Sequence, residues 1–308
     1  LLNSINFFFK NYYCPFWEIN QMEIVKIAGP LILAFIMLSL GMGLTVGDFK
    51  KVITYPKDFF VGALSQIILF PILALILAFV FPIPVELKVG LILLAAAPGG
   101  VTTNIISKFA DGNVALSISL TAVISLICFI TVPLIFSFSY PIITGESLPF
   151  DYSIGNIIVQ IFLITTIPVI LGMILKVLLP NFTAKFVKFF VNLSFILFLF
   201  FVFSAIYSEF QNIAGYFKAS GLITLVLNVV VLIAAFLLCS IFKIENSSKK
   251  TILIETGLQN GTLAVVVTGL IFNDPIYLVP IATYSLIMYA VIFIYVIGLK
   301  FIHVKDSE

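Results

Sequence analysis

The sequence predicts an all-α, polytopic transmembrane helical bundle, and three observations carry that expectation. Of the 308 residues, 62% are hydrophobic and only 10% are charged, too little charge to cover the surface of a water-soluble domain of this length. Apolar runs of about 20 residues, enough to cross a bilayer as a helix, recur from Ile27 to Ile302. Turn-forming clusters punctuate the runs: Pro82 and Pro84, Asp111-Gly112-Asn113, Pro180-Asn181 and Asn273-Asp274-Pro275.

In chain order the runs give nine candidate spans, at 27–47, 59–81, 87–109, 114–140, 154–179, 186–207, 218–242, 251–272 and 275–302. They form one domain, 27–302, with a first half at 27–140 and a second at 154–302. The segment 1–26 contains Phe7-Phe8-Phe9 and Trp17 but is broken by Lys10, Asn11, Glu18 and Glu23. It lacks the pattern of a signal peptide, and its aromatics suit an interfacial position at headgroup depth. Residues 303–308 form a short tail.

Lysine placement orients the chain. All sixteen basic residues are lysine. With nine spans, Lys10, Lys26, Lys88 and Lys218 fall on the N-terminal side and the other twelve on the opposite side. Positively charged loops stay in the cytoplasm. The N-terminus is therefore expected outside and the C-terminus in the cytoplasm of a cell membrane.

Composition also narrows the chemistry. A net charge of +2 gives no reason to expect nucleic acid. Cys14, Cys128 and Cys239 are too far apart for a metal motif or a disulfide framework, and His303 is the lone histidine. Hydrolysis would want a nucleophile with a base, paired acids or a metal, so no enzyme is expected. Without a G-x-x-x-x-G-K-[ST] loop, a nucleotide-driven pump is disfavoured.

The third and eighth spans are unusual. The third runs apolar to Ala97 and then reads Pro98-Gly99-Gly100-Val101-Thr102-Thr103-Asn104; the eighth carries Glu255-Thr256-Gly257-Leu258-Gln259-Asn260-Gly261. They lie five spans apart, so they cross in opposite directions, which points to an inverted-repeat transporter with two discontinuous helices. The first half then has four spans and the second five, with the span that would precede the first missing. Pro98 removes a backbone donor and disfavours helix at Ala97. The alternative for that motif is a proline kink satisfied by neighbouring helices.

Glu255 is the only acidic residue deep in a span, a placement costly by several kcal/mol unless the carboxylate is paired, protonated or cation-bound. Its alternative is a side chain near Lys249 and Lys250 that only reaches the headgroups. Ser117, Thr121 and Ser125 share one face of the fourth span, where hydroxyls also commonly bond the preceding turn. Gln66 is the only uncharged amide in its run, and an interhelical hydrogen bond would account for it. Neutral oxygens around a single carboxylate suit Na⁺ better than a divalent ion. A proton carrier would need Glu255 alone, and a passive channel would need a continuous polar path. Helix N-termini at the breaks favour an anionic substrate. The residues thus point to Na⁺-coupled transport of an organic anion, with a passive channel or proton-coupled carrier as alternatives and an intramembrane enzyme behind both.

Gly41-Met42-Gly43-Leu44-Thr45, Pro98-Gly99-Gly100 with Asn104, Gly112-Asn113-Val114-Ala115-Leu116-Ser117 and Glu255-x-Gly-x-Gln259-Asn260 together resemble the bile acid:sodium symporter family, and its bacterial members in particular. The resemblance runs from about Gly29 to the end of the last span. It implies panel and core domains, with the broken helices crossing in the core, and two sodium sites. The first would use Thr103, Asn104, Ser117, Thr121 and Glu255. The second would use Gln66, Glu255 and Gln259 with the backbone oxygens of Thr256 and Leu258. The substrate, a bile-acid-like molecule or a small monocarboxylate, would lie beside Val101, Thr102, Thr103, Asn260, Met288 and Tyr289, in a chain expected to be monomeric. Three features depart from the bacterial pattern: nine spans where ten are common, Val101 where a hydroxyl is frequent, and Met288-Tyr289 where some relatives carry a polar pair.

Overall fold

A computed structural model describes residues 21–54, 56–148, 153–208 and 213–305. Most of the segment 1–26, including Phe7-Phe8-Phe9 and Trp17, and residues 306–308 of the tail lie outside the described residues. Twelve helices follow one another: α1 (Gln21–Gly43), α2 (Val46–Thr54), α3 (Pro56–Val80), α4 (Val85–Ala96), α5 (Thr103–Phe109), α6 (Val114–Thr144), α7 (Ile154–Leu178), α8 (Pro180–Ser208), α9 (Ile213–Ile241), α10 (Asn246–Gly257), α11 (Gly261–Ile271) and α12 (Pro275–Lys300, continuing to Lys305). Among the described residues no strand forms beyond one bridge between Gly99 and Gln259.

Among the described residues six helices are long and apolar enough to cross a membrane: α1, α3, α6, α7, α9 and α12. The pairs α4–α5 and α10–α11, together with α8, occupy the positions of the other three expected spans. Large apolar side chains are exposed in stripes, such as Ile68, Ile72, Ile76 and Phe79 on α3, while Ser65 and Gln66 of the same helix are buried. Apolar side chains outside and polar ones within is the distribution that hydrocarbon solvent imposes.

Two regions depart from the expected spans. The first span ends at Gly43 rather than at residue 47, and α2 starts as a separate short helix. The Asp48 carboxylate accepts from both the backbone N–H (2.8 Å) and the hydroxyl (2.7 Å) of Thr45, which caps the new helix. In α3 and α7 the helical ladder loosens into a π turn, at Ser65–Leu69 and Phe162–Thr166. Such turns insert one residue without breaking the helix.

Contacts sort the helices into two groups. α1 packs against α7 and α8, and α7 also meets α8. The others gather around the broken pairs: α4 against α3, α6 and α12, and α10 against α6 and α9. The groups meet where α1 touches α11 and where α6 touches α7. At the N-terminal side Lys26 Nζ donates to the Asn273 side-chain carbonyl, tying the start of α1 to the loop before α12.

The α1–α7 contact is set by two glycines. A β-carbon on Gly41 would lie 2.1 Å from the Val169 carbonyl oxygen, and one on Gly172 would lie 2.3 Å from that of Leu38. Backbone therefore meets backbone, as in small-residue helix crossings. Gly41→Ala is expected to destabilise the protein by about 1–3 kcal/mol, the cost of overpacking, whereas Gly155→Ala, with nothing within 4 Å, should be neutral or slightly stabilising. Thermal unfolding in detergent checks both.

Candidate functional site: the crossing of two broken helices

Pro98 ends α4 by local sterics. Ala97, the residue before it, is extended (φ −67°, ψ 147°), as the residue preceding a proline prefers to be. Across from it α10 stops at Gly257, with Leu258 extended at φ −109° and ψ 108°. The two extended stretches run antiparallel and pair: Gly100 N–H donates to the Leu258 carbonyl (3.1 Å) and Asn260 N–H to the Pro98 carbonyl (2.7 Å). Each break thereby satisfies backbone groups of the other where no water can. Asn260 then starts α11, its side chain accepting from Leu263 N–H at 3.0 Å.

Glu255, on the last turn of α10, has 0% of its surface exposed. Hydroxyls of Thr103 (2.5 Å), Ser117 (2.5 Å) and Thr121 (3.1 Å) converge on its Oε1, and Thr121 also lies 3.2 Å from Oε2. No lysine pairs with it among the described residues; Lys249 instead reaches the Ser240 hydroxyl and the Phe236 ring. The placement is internal, not a reach to the headgroups. Three charge-assisted bonds at about 1.5–3 kcal/mol each are comparable to the several kcal/mol that burying a carboxylate costs. The hydroxyls can hold the ion, and a cation could replace the countercharge that the chain does not supply.

Gln66 sits on the π turn of α3 and accepts from Gly99 N–H at 3.0 Å. A β-carbon at Gly99 would lie 2.8 Å from Glu255 Oε2 and 3.2 Å from Gln66 Oε1, so glycine is what lets carboxylate and amide close on the break. Gln259 Nε2 donates to the Thr256 carbonyl at 2.9 Å. Buried oxygens without a hydrogen-bond partner remain on Asn104 (Oδ1) and Gln259 (Oε1). Carboxamide oxygens left over in this way are of the type that a hard cation takes as ligands. Among the described residues no group of three or more His, Cys, Asp or Glu could hold a metal ion.

The structure brings Thr103, Ser117, Thr121 and Gln66 to Glu255, with Asn104 on the next residue of α5 and Thr256, Leu258 and Gln259 along the second break. Ser125, on the same face of α6, does not reach the carboxylate; its hydroxyl is buried without a partner. A cavity of about 280 Å³ adjoins the crossing, lined by Ser39 and Leu40 of α1, Asn192 of α8, Gly100–Thr102, Gln259–Thr262 and Tyr289. Val101, Thr102, Asn260 and Tyr289 thus face the cavity, with Thr102 and Tyr289 hydroxyls 3.2 Å apart. Thr103 turns to the carboxylate instead, and Met288 is enclosed in the apolar core at 1% exposure. Adjacent residues on a helix point about 100° apart, and of the pair Met288-Tyr289 it is Tyr289 that faces the cavity.

Sequence reasoning missed Ser39, Asn192 and Thr262 on the cavity wall. It also missed Asn228 and Tyr284, buried behind the second break. Asn228 carries the signal that singled out Gln66, a solitary amide in an apolar run.

Apolar helices long enough to cross a membrane, two of whose neighbours break and pair beside a buried carboxylate, make this a multi-pass membrane protein, and its family makes it a transporter. The chain belongs to the sodium bile acid symporter family, whose model matches residues 30–216. Among its relatives, the uncharacterized sodium-dependent transporter YocS of Bacillus subtilis is 30% identical over 83% of this chain and 77% of its own. The probable sodium/metabolite cotransporter BASS2 of rice chloroplasts is 27% identical over 81% of this chain, which spans 58% of its length. Human sodium/bile acid cotransporter 4 is 28% identical over 84% of this chain and 59% of its own.

If the hydroxyls act through the carboxylate, their loss must depend on it. Ser117→Ala is expected to cost about 1.5–3 kcal/mol in the native protein and well under half of that beside Glu255→Leu. A double-mutant cycle on thermal stability measures the coupling, and additive losses would contradict the geometry.

Proposed function

We propose that this protein is a secondary active symporter that couples uptake of a small organic anion to Na⁺ entry by alternating access. The observation that carries the reading is the fully buried Glu255 carboxylate, held only by neutral groups, with partnerless oxygens of Asn104 and Gln259 nearby. Two sodium ions would complete this arrangement. One would lie among Thr103, Asn104, Ser117, Thr121 and Glu255, the other among Gln66, Glu255, Gln259 and the carbonyls of Thr256 and Leu258. The names of the Bacillus, rice and human relatives, each a sodium-dependent transporter or a sodium cotransporter, support the coupling ion.

The substrate would occupy the cavity beside the crossing. Its volume of about 280 Å³ lies at the small end of ligand pockets, which favours a small monocarboxylate over a steroid-sized bile acid. Among the described residues its lining holds no lysine, arginine or histidine. An anion there would rely on hydroxyls, amides, the N-terminus of α11 and the neighbouring Na⁺. Cations that order the crossing would raise affinity for substrate, and substrate would raise affinity for Na⁺ by the same factor. The group α1, α7 and α8 would move against the rest, with the lysine-rich side facing the cytoplasm.

Purified protein in detergent, screened by thermal shift against small organic acids, should be stabilised by substrate only when Na⁺ is present; a ligand at about 100 times its Kd contributes roughly 2.7 kcal/mol. In proteoliposomes the same acid should enter along an inward Na⁺ gradient, and Glu255→Ala or Gln259→Ala should lower uptake by at least an order of magnitude. Uptake that ignores Na⁺ would overturn the reading.

A further inference from the structure

Behind the second break, on the side away from the Glu255 hydroxyls, is a hydrogen-bonded triangle that the transport reading does not use. Asn228 of α9 and Tyr284 of α12 are both at 0% exposure. Asn228 Nδ2 donates to the Gly257 carbonyl (2.9 Å) and to the Tyr284 hydroxyl (2.7 Å). The Tyr284 hydroxyl in turn donates to the same Gly257 carbonyl at 3.0 Å. Gly257 is the last residue of α10, so its carbonyl is one of those a helix end leaves without a partner. Two donors hold it, from two different helices. The amide orientation is forced, because a flipped Asn228 would set its oxygen against the Gly257 oxygen.

The inverted repeat gives the triangle a counterpart. With equivalents five spans apart, α9 matches α3 and α12 matches α6. Gln66 of α3 grips the first break through Gly99 N–H, and α6 supplies hydroxyls to Glu255. In the second half Asn228 of α9 and Tyr284 of α12 grip the second break through a backbone carbonyl. One half of the repeat holds the charge; the other holds the peptide chain on which the charge and its neighbouring carbonyls are mounted.

We infer that Asn228 and Tyr284 are positioning residues for cation binding: by fixing the Gly257 carbonyl they set the directions of the Thr256 and Leu258 carbonyls on either side of it. The inference rests on the sodium-symport reading. It predicts that loosening the triangle weakens Na⁺ binding without touching the substrate cavity, which neither residue lines.

Tyr284→Phe removes one donor and keeps the ring, including its edge contact with Phe70 (5.8 Å between centroids). Wild type, Tyr284→Phe and Asn228→Ala are compared by thermal unfolding in NaCl titrations and in KCl at equal ionic strength. Tyr284→Phe is expected to weaken apparent Na⁺ affinity by about threefold to tenfold, the worth of one hydrogen bond, and Asn228→Ala by more. The KM for substrate at saturating Na⁺ should hold near the wild-type value. Melting temperatures that fall equally in Na⁺ and K⁺, with unchanged Na⁺ affinity in Tyr284→Phe, would show that the triangle only supports the fold and would overturn the inference. Should Asn228→Ala fail to fold, Tyr284→Phe alone decides. If wild type itself shows no Na⁺-specific stabilisation, the symport reading fails instead, and the two failures are distinct.

Discussion

The Glu255 carboxylate is buried in the crossing with no basic partner among the described residues, and the surrounding structure answers that constraint. An anion in such surroundings must be solvated by the chain itself. Three hydroxyls do so from α5 and α6, and they reach it because α4 ends early and lets α5 restart at Thr103. Gly99 has no side chain because any β-carbon would press on the carboxylate. Gln66 closes the remaining flank from a π turn. The crossing is thus less a scaffold with an acid attached than an arrangement of backbone ends organised around one negative charge.

Interrupting two helices at membrane depth exposes N–H and C=O groups to surroundings with no water, and each orphaned group costs on the order of 1–3 kcal/mol. Here the cost is offset mutually. The breaks pair with one another through Gly100, Leu258, Asn260 and Pro98, and leftover groups go to Gln66, Asn228 and Tyr284. Neither break would be stable alone. A displacement of one therefore strains the other, which links the two halves of the molecule more directly than side-chain packing could.

Much of this was legible in the sequence because it rests on residue types with few alternative uses. A proline followed by two glycines inside an apolar run, a lone deep glutamate, and lone amides in Val- and Leu-rich spans have little reason to exist in a plain hydrophobic helix. Helix existence followed from composition alone. What escaped depended on phase and on partners distant in sequence. Thr103 and Met288 were placed beside the substrate by what the resemblance implies, but Thr103 turns to the carboxylate and Met288 lies in the apolar core. α2 hid because Asp48 and Thr45 are common residues whose cap is visible only once the side chains are placed. Asn228 left the same mark as Gln66, a solitary amide in an apolar run, but no neighbouring motif drew attention to it, and its partners Gly257 and Tyr284 lie far along the chain.

The π turn in α3 has a consequence for which neighbours that helix can serve. Its buried positions run 61 and 62, then 65 and 66, then 70 and 71, 74, and 77 and 78, and the step of five between the second and third pairs is the inserted residue. One residue is roughly 100° of rotation in a helix, so the insertion resets the phase of everything after it. Before the turn α3 packs on α6 and α10, which carry Ser117, Thr121 and Glu255; after it α3 keeps α6 and adds α4 and α9. A straight ladder of the same length would turn one of those faces toward lipid. A single extra residue lets one rod act as two, joined by a fixed twist, and Gln66 is placed at the join.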